Sequence, residues 1–205
     1  MYSTKKKILN ASIKLFNEYG VASVRLQQIA DEIGISVGNL AYHFKTKDFI
    51  VSSVYEKLFE DFNLILGNYL LSPSLEDFDK QISSYFDFFD KYHFYFSDLF
   101  SNEHQIPKIK EEWNSLINKM DLQIQKRLEF YAKSGFFKEI NRNNLQTITD
   151  NVLLTLIFWI PQQKMQTKTV SPFRYKNAIW SLILPYISNE GFPELQKVLN
   201  DNNLQ

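Results

Sequence analysis

The sequence predicts an all-α protein, with an N-terminal three-helix head followed by a larger C-terminal helical body, and three observations carry that prediction. Apolar residues recur at intervals of three and four over nearly the whole chain, the spacing of a helix face. The periodic stretches are punctuated by Ser, Thr, Asp, Gly and Pro where helices start and stop. No strand-like alternation, internal repeat or low-complexity tract interrupts them, and 205 residues with 44% hydrophobic composition suffice for a core.

Thr4 is placed to cap a first helix through Tyr19, with Ile8, Ala11, Leu15, Phe16 and Tyr19 on one face and Gly20 as its stop. A second helix begins near Leu26 and presents Leu26, Ile29, Ala30 and Ile33 inward. Gly34 stands where the following turn needs positive φ. Ser36 caps a third helix, with Leu40 and Phe44 inward and Val37, Asn39 and Tyr42 left for the other face.

Asp48 is placed to cap a fourth helix to about Leu71, striped by Ile50, Val54, Leu58, Phe62, Ile65 and Tyr69, about 36 Å long at ~1.5 Å per residue. Such a helix would connect head to body, giving domains over 1–47 and 48–205. Ser72, Pro73 and Ser74 break it, and Ser74 to Asp77 resembles a capping box opening a fifth helix to about Asp90. A short sixth helix is expected from Phe94 to Ser101. The seventh, Pro107 to Lys133, carries Ile109, Trp113, Leu116, Met120, Ile124, Leu128 and Tyr131, with Gly135 ending it. Helices from Asn144 to Gln163 and Pro172 to Asn189 are apolar around most of their circumference and must be covered on most sides. Pro185 should stop or kink the second of these. A last short helix opens at Gly191, Phe192 and Pro193, with the final five residues frayed.

Composition excludes several function classes. Without cysteine there is no disulfide, thiolate metal site or cysteine nucleophile. His93 and His104 are isolated, so no metal and no cofactor is expected. No nucleophile elbow, phosphate-cradling glycine loop or paired catalytic carboxylates point to an enzyme. The basic N-terminus runs into an amphipathic helix rather than an export signal, and the longest apolar run, Val152 to Pro161, is about half of the ~20 residues a membrane span requires. A cytoplasmic protein without a membrane partner is expected.

Neutrality conceals an asymmetry. Of the 23 bases and 23 acids, residues 1–47 hold seven bases and three acids, a net of +4, leaving sixteen against twenty, a net of −4, in the rest. A basic head on an acidic body suits a phosphate partner at one end, although solvated charge spreads unevenly by chance as well.

The head carries a helix-turn-helix pattern. Ile8-Leu9-Asn10-Ala11, Leu15-Phe16, Tyr19-Gly20, Ile29-Ala30, Ile33-Gly34-Ile35-Ser36, Gly38-Asn39-Leu40 and Tyr42-His43-Phe44-Lys45-Thr46-Lys47 resemble, in order and without gaps, the N-terminal domain of the tetracycline-repressor (TetR) family of bacterial regulators. The resemblance implies a homodimer whose two recognition helices enter successive major grooves of a near-palindromic double-stranded DNA operator. It also implies a larger domain that binds an inducer, and two late helices that pair in a four-helix bundle. It places Gln27, Val37, Gly38, Asn39 and Ala41 toward the bases, and Tyr42, His43 and Lys47 on the backbone. Chemistry agrees: Gln27 and Asn39 offer the donor and acceptor that grip adenine, Val37 an apolar surface for a thymine methyl, and Gly38 close approach. Ser36, Lys45 and Lys47 add helix-end N–H groups and charge for phosphate. Val37 and Ala41 depart from common family residues, and Arg25 replaces the usual threonine at the start of the second helix, where it offers a phosphate contact.

Two readings of the aromatic stretch from Tyr85 to Phe96 stand side by side, packed core or wall of a pocket. As pocket, Phe88, Phe89, Tyr92, His93, Tyr95 and Phe96, with Trp113, would line a site for a small apolar or aromatic ligand. Likewise Leu156, Ile160, Ala178, Trp180 and Ile183 are candidates for the dimer interface or for monomer core, with the face undecided. The function expected is a ligand-responsive DNA-binding transcriptional regulator, a repressor released by an inducer. The rival is a protein-interaction or small-molecule-carrier module that keeps the fold without specific DNA binding.

Overall fold

The computed structural model describes residues 3–68, 74–99 and 107–201. The elements are α1 (Thr4–Tyr19), α2 (Leu26–Glu32), α3 (Val37–His43), α4 (Lys47–Asn68), α5 (Leu75–Lys91), α6 (Phe94–Leu99), α7 (Pro107–Lys133), α8 (Arg142–Met165), α9 (Pro172–Ile183) and α10 (Phe192–Asp201), with a 3₁₀ turn at Leu184–Tyr186. Among the described residues there is no strand, only a single antiparallel bridge between Phe137 and Ile187. The expected parts at 69–73, at Ser101 and in the final tail, along with His104, lie outside the described residues.

Local chemistry explains most boundaries. Ser3, not Thr4, caps α1: its hydroxyl accepts from the Lys6 N–H, while Thr4 is already helical. Gly34 takes φ +70° between α2 and α3, and a Cβ there would meet open space, so glycine is favoured by the backbone alone. Ser36 caps α3 as its position predicts, accepting the Asn39 N–H at 3.1 Å. α4 begins at Lys47, so Asp48 sits in its first turn rather than at the cap, where its carboxylate still faces the positive helix end. Ser74 accepts the Asp77 N–H at the start of α5. Asn141 caps α8, which begins two residues before Asn144 and continues past Pro161 to Met165. The helix containing Trp180 ends at Ile183, and Pro185 sits in the 3₁₀ turn that follows.

The chain divides into two compact units. The first comprises residues 1–61 and 91–113, in which α1 packs on α2, α3 and α6. Its core joins Ile8, Phe16, Ile29, Leu40, Ile50 and Val54 with the rings of Tyr55 and Phe94. The amide of Asn17 ties α1 to the segment between α5 and α6, its Nδ2 donating to the Lys91 carbonyl and its Oδ1 accepting the Phe94 N–H, both at 2.8 Å.

The second unit comprises residues 62–90 and 114–205. Phe62 stacks on Phe88 with ring centroids 4.7 Å apart, and Leu66, rather than the expected Ile65, is the buried residue of that turn. α8 and α9 pack along each other, and Tyr175 donates to the Leu156 carbonyl at 2.6 Å. Two buried charge clusters fix α5: Arg127 of α7 holds Asp77 and Gln81, and Lys176 of α9 holds Asp79. At Gly191 the Phe136 carbonyl oxygen comes within 2.5 Å of where a Cβ would lie, so only glycine closes that turn without movement.

Candidate nucleic-acid interface

The first unit presents α3 as a short helix with a buried side and an exposed side. Leu40 and the following Phe44 are buried, while Gly38, Asn39 and Tyr42 are exposed and Val37, Ala41 and His43 half-buried. The outward face is therefore narrower than the residues proposed from sequence: Asn39 supplies its amide, Gly38 leaves room beside it, and Tyr42 projects with 86% of its surface exposed. Tyr42 and His43 meet edge-on at 5.3 Å. Because Ser36 occupies the Asn39 backbone N–H, the Asn39 side chain is presented on a fixed helical turn, suited to bidentate contact with a base edge.

The flanking residues are more engaged. Gln27, exposed on α2, donates to Asp31 at 2.7 Å, an i,i+4 bond on the outer face of that helix. Its amide N–H is thus shared with an acid. Arg25 stands exposed at the α2 N-cap, and its backbone N–H is taken by the Gln28 side chain at 2.8 Å. Sequence reasoning passed over Gln28; its position three residues after the cap, the capping-box spacing, was the available signal. Lys47 donates to the Ala22 carbonyl at 2.9 Å, bracing the loop before α2, while Lys45 is exposed. Exposed Thr46 and Phe49 flank the start of α4 beside them and were likewise not singled out from sequence.

The ligand candidates divide between the units. Tyr92, His93, Tyr95, Phe96 and Trp113 belong to the first, Phe88 and Phe89 to the second. All are buried except half-buried His93. Tyr95 lies 4.4 Å from Trp113, which also meets Phe96 edge-on. Tyr92 gives its hydroxyl to Asp61 at 2.7 Å, and burial followed by that carboxylate pushes its phenol far up. Burial does the same to Tyr95, which therefore remains a neutral donor at any working pH.

Of the dimer candidates, Leu156, Ile160, Trp180 and Ile183 are buried within a single chain, three of them with no exposed surface, and Ala178 is half-buried. Periodicity showed that these helices are apolar on most sides without showing which side the rest of the chain covers. The outward apolar residues include Leu154 and Phe158, one turn apart on α8 and 55% and 40% exposed, Met165 at the end of α8, and Phe173 and Leu184 on and just after α9.

Among the described residues no group of three or more His, Cys, Asp or Glu is placed to hold a metal, and no helix is long and apolar enough to cross a membrane. A glycine turn that sets a Ser-capped helix outward against a second short helix defines a helix-turn-helix transcriptional regulator. A profile described as "Bacterial regulatory proteins, tetR family" matches residues 8–54, and a second, "TetR: Bacterial transcriptional repressor", matches residues 56–195. The chain belongs to the TetR family of bacterial transcriptional regulators.

Individual relatives agree at the level of fold and head. The uncharacterized HTH-type transcriptional regulator YerO of Bacillus subtilis (strain 168) is 41% identical over 56 residues, 27% of this chain and 19% of that protein. The match thus spans about a fifth of the relative's length. A crystal structure of a TetR-family regulator from Marinobacter aquaeolei VT8 superposes with a TM-score of 0.79 over 97% of this chain and 98% of its own, at 24% identity. The structure of a SmeT–triclosan complex superposes with a TM-score of 0.64 over 92% and 93%, at 16% identity. At these identities the likeness of the structures is one of fold.

Proposed function

We infer that this chain is a homodimeric repressor that binds a near-palindromic double-stranded operator through α3 and leaves it when a small molecule occupies the larger domain. The observation that carries the reading is the Ser36-capped α3 with Gly38, Asn39 and Tyr42 outward. Family membership, and the description of the longer matching profile as a repressor, support the direction of control. Asn39 is the base-reading residue, with Gln27 through its carbonyl oxygen and Val37 and Ala41 as apolar neighbours. Arg25, Ser36, Tyr42, His43, Lys45 and Lys47 face the phosphates. In this reading residues 1–47 are the DNA-reading head and 48–205 the regulatory part.

Ligand responsiveness is supported by the aromatic residues around Tyr95 and Trp113 and by the fold neighbour solved with triclosan. Mechanistically, operator binding needs two recognition helices about 34–36 Å apart in the dimer. A ligand that favours another spacing lowers affinity, and only unequal binding to the two arrangements produces the shift. Dimerisation is assigned to the outward apolar residues of α8 and α9, Leu154, Phe158, Phe173 and Leu184.

The test is a gel-shift selection with fragments of the source genome, beginning with the region upstream of the chain's own gene. A sequence-specific complex that weakens steeply with salt supports the regulator. No specific complex with any fragment supports the carrier or interaction reading, which Val37 and Ala41 favour because, being apolar, they thin the hydrogen bonding α3 can offer in a groove.

A further inference from the structure

The short helix α2 ends on two adjacent acids, Asp31 and Glu32, with no base in its last turn. Negative charge at that end opposes the helix dipole, so neither acid is placed to stabilise α2. Glu32 is offset by Lys14 of α1, whose ammonium lies 2.6 Å from its carboxylate. Asp31, exposed like Gln27, has no such cation among the described residues; its carboxylate accepts instead the Gln27 side-chain amide at 2.7 Å. As helix stabilisation, an exposed bond of this i,i+4 kind is small. Its effect on what Gln27 can recognise is larger.

A glutamine without a partner can turn its amide either way, offering donor or acceptor as the neighbouring group requires. Here a carboxylate fixes the choice, because only the nitrogen end can face it. Donation to an anion also polarises the amide toward its oxygen. That oxygen accepts from no group of the protein among the described residues. Gln27 and Asp31 therefore form a unit of acceptors with a net negative charge. In the major groove adenine and cytosine offer an amino donor, at N6 and N4, where guanine and thymine offer keto oxygens, O6 and O4. We propose, resting on the operator reading above, that Asp31 is a specificity-determining residue. By holding Gln27 as an acceptor it makes α2 select an amino base and refuse a keto base at one position of each half-site. An unheld glutamine would grip adenine with both ends of its amide; the held one takes cytosine as well.

The test uses the full chain and the operator obtained by genomic selection, with every base tried at each position. Gln27→Ala locates the position, flattening preference there and at its symmetry mate. At that position the wild type should favour adenine and cytosine over guanine and thymine by about tenfold or more. Asp31→Asn, which frees the amide to turn, should cut that ratio to roughly threefold or less. Asp31→Glu keeps a charged acceptor and should restore most of it. A merely repulsive acid would instead change affinity for every sequence alike. That outcome overturns the proposal, as does a Gln27→Ala variant with unaltered base preferences, and either leaves the operator reading intact. If selection yields no specific complex, the operator reading falls and takes the proposal with it. Without DNA, the Gln27 side-chain amide resonance should move in Asp31→Asn; superimposable resonances overturn the pairing whatever the selection yields.

Discussion

Asp79 and Lys176 form an ion pair at 2.7 Å that joins α5 to α9 inside the second unit, with side chains only 8% and 11% exposed. The other carboxylate oxygen accepts the Trp180 indole N–H at 3.0 Å, and the Trp180 ring meets Phe78 edge-on. Two desolvated charges stabilise little as a pair, yet either one without the other is costly. Asp79→Ala, which strands the buried ammonium, should lower unfolding free energy by about 3–5 kcal/mol in urea titrations. Asp79→Leu with Lys176→Met should recover most of that loss. A double variant no better than the single one would mean that the pair also specifies the packing of α9.

Association and stability should separate on α8. Leu154→Glu with Phe158→Glu places charge on exposed positions and is expected to shift the sedimentation coefficient to that of a monomer while leaving far-ultraviolet dichroism unchanged. Leu156→Ala, at a position with no exposed surface, should instead cost roughly 2–5 kcal/mol of stability through a cavity, with dimerisation of the folded fraction preserved. The reverse pattern would return the interface to the buried side.

Asn39 and Lys45 should differ in kind on a selected operator. Asn39→Ala is expected to lose about 1–3 kcal/mol against the preferred base and to relax preference at one position of each half-site. Lys45→Ala should weaken all sequences alike and reduce the slope of log affinity against log salt by about 1. An Asn39→Ala variant with undiminished operator affinity removes its base contact.

Acid should act through Asp61. Burial by itself raises its carboxyl, but the hydrogen bonds from Lys91, Tyr92 and Lys57 prevail and hold it below the ordinary value of 3.8. A group depressed on folding contributes stability that is complete above the ordinary value and lost as pH falls through the folded-state one. Wild type should therefore melt above Asp61→Asn at neutral pH, and the difference should close as pH falls below the ordinary value of 3.8. A difference that does not change with pH on acidification would assign the residue a packing role only.

The parts of the fold legible in sequence are those whose causes lie within one helical turn. Ser36 reaches Asn39, Gly34 bends its own backbone, and Ser74 reaches Asp77. The Asn17 bonds to residues 91 and 94 were not legible, since their partners lie 74 and 77 positions away and nothing in the spacing announces them. The candidate interface was legible as a set of residues but not as a surface. Val37 and Ala41 share a helix with Asn39 and Tyr42, yet packing covers part of each and leaves Asn39 and Tyr42 outward.

The sequence by itself determined the all-helical class, the order of the helices, the turn that sets α3 outward and the family to which the chain belongs. Each of these rests on periodicity, caps and glycine backbone freedom, which act between near neighbours along the chain. Only the tertiary structure decided which apolar side of α8 and α9 the rest of the chain covers, which aromatic rings pack on one another, and that Asp61 gathers two lysines and a tyrosine. Such choices depend on residues brought together across long separations, as Asp79 and Lys176 are across 97 positions. A helix face advertises that it is apolar, but what covers it is settled by the packing of all the others at once.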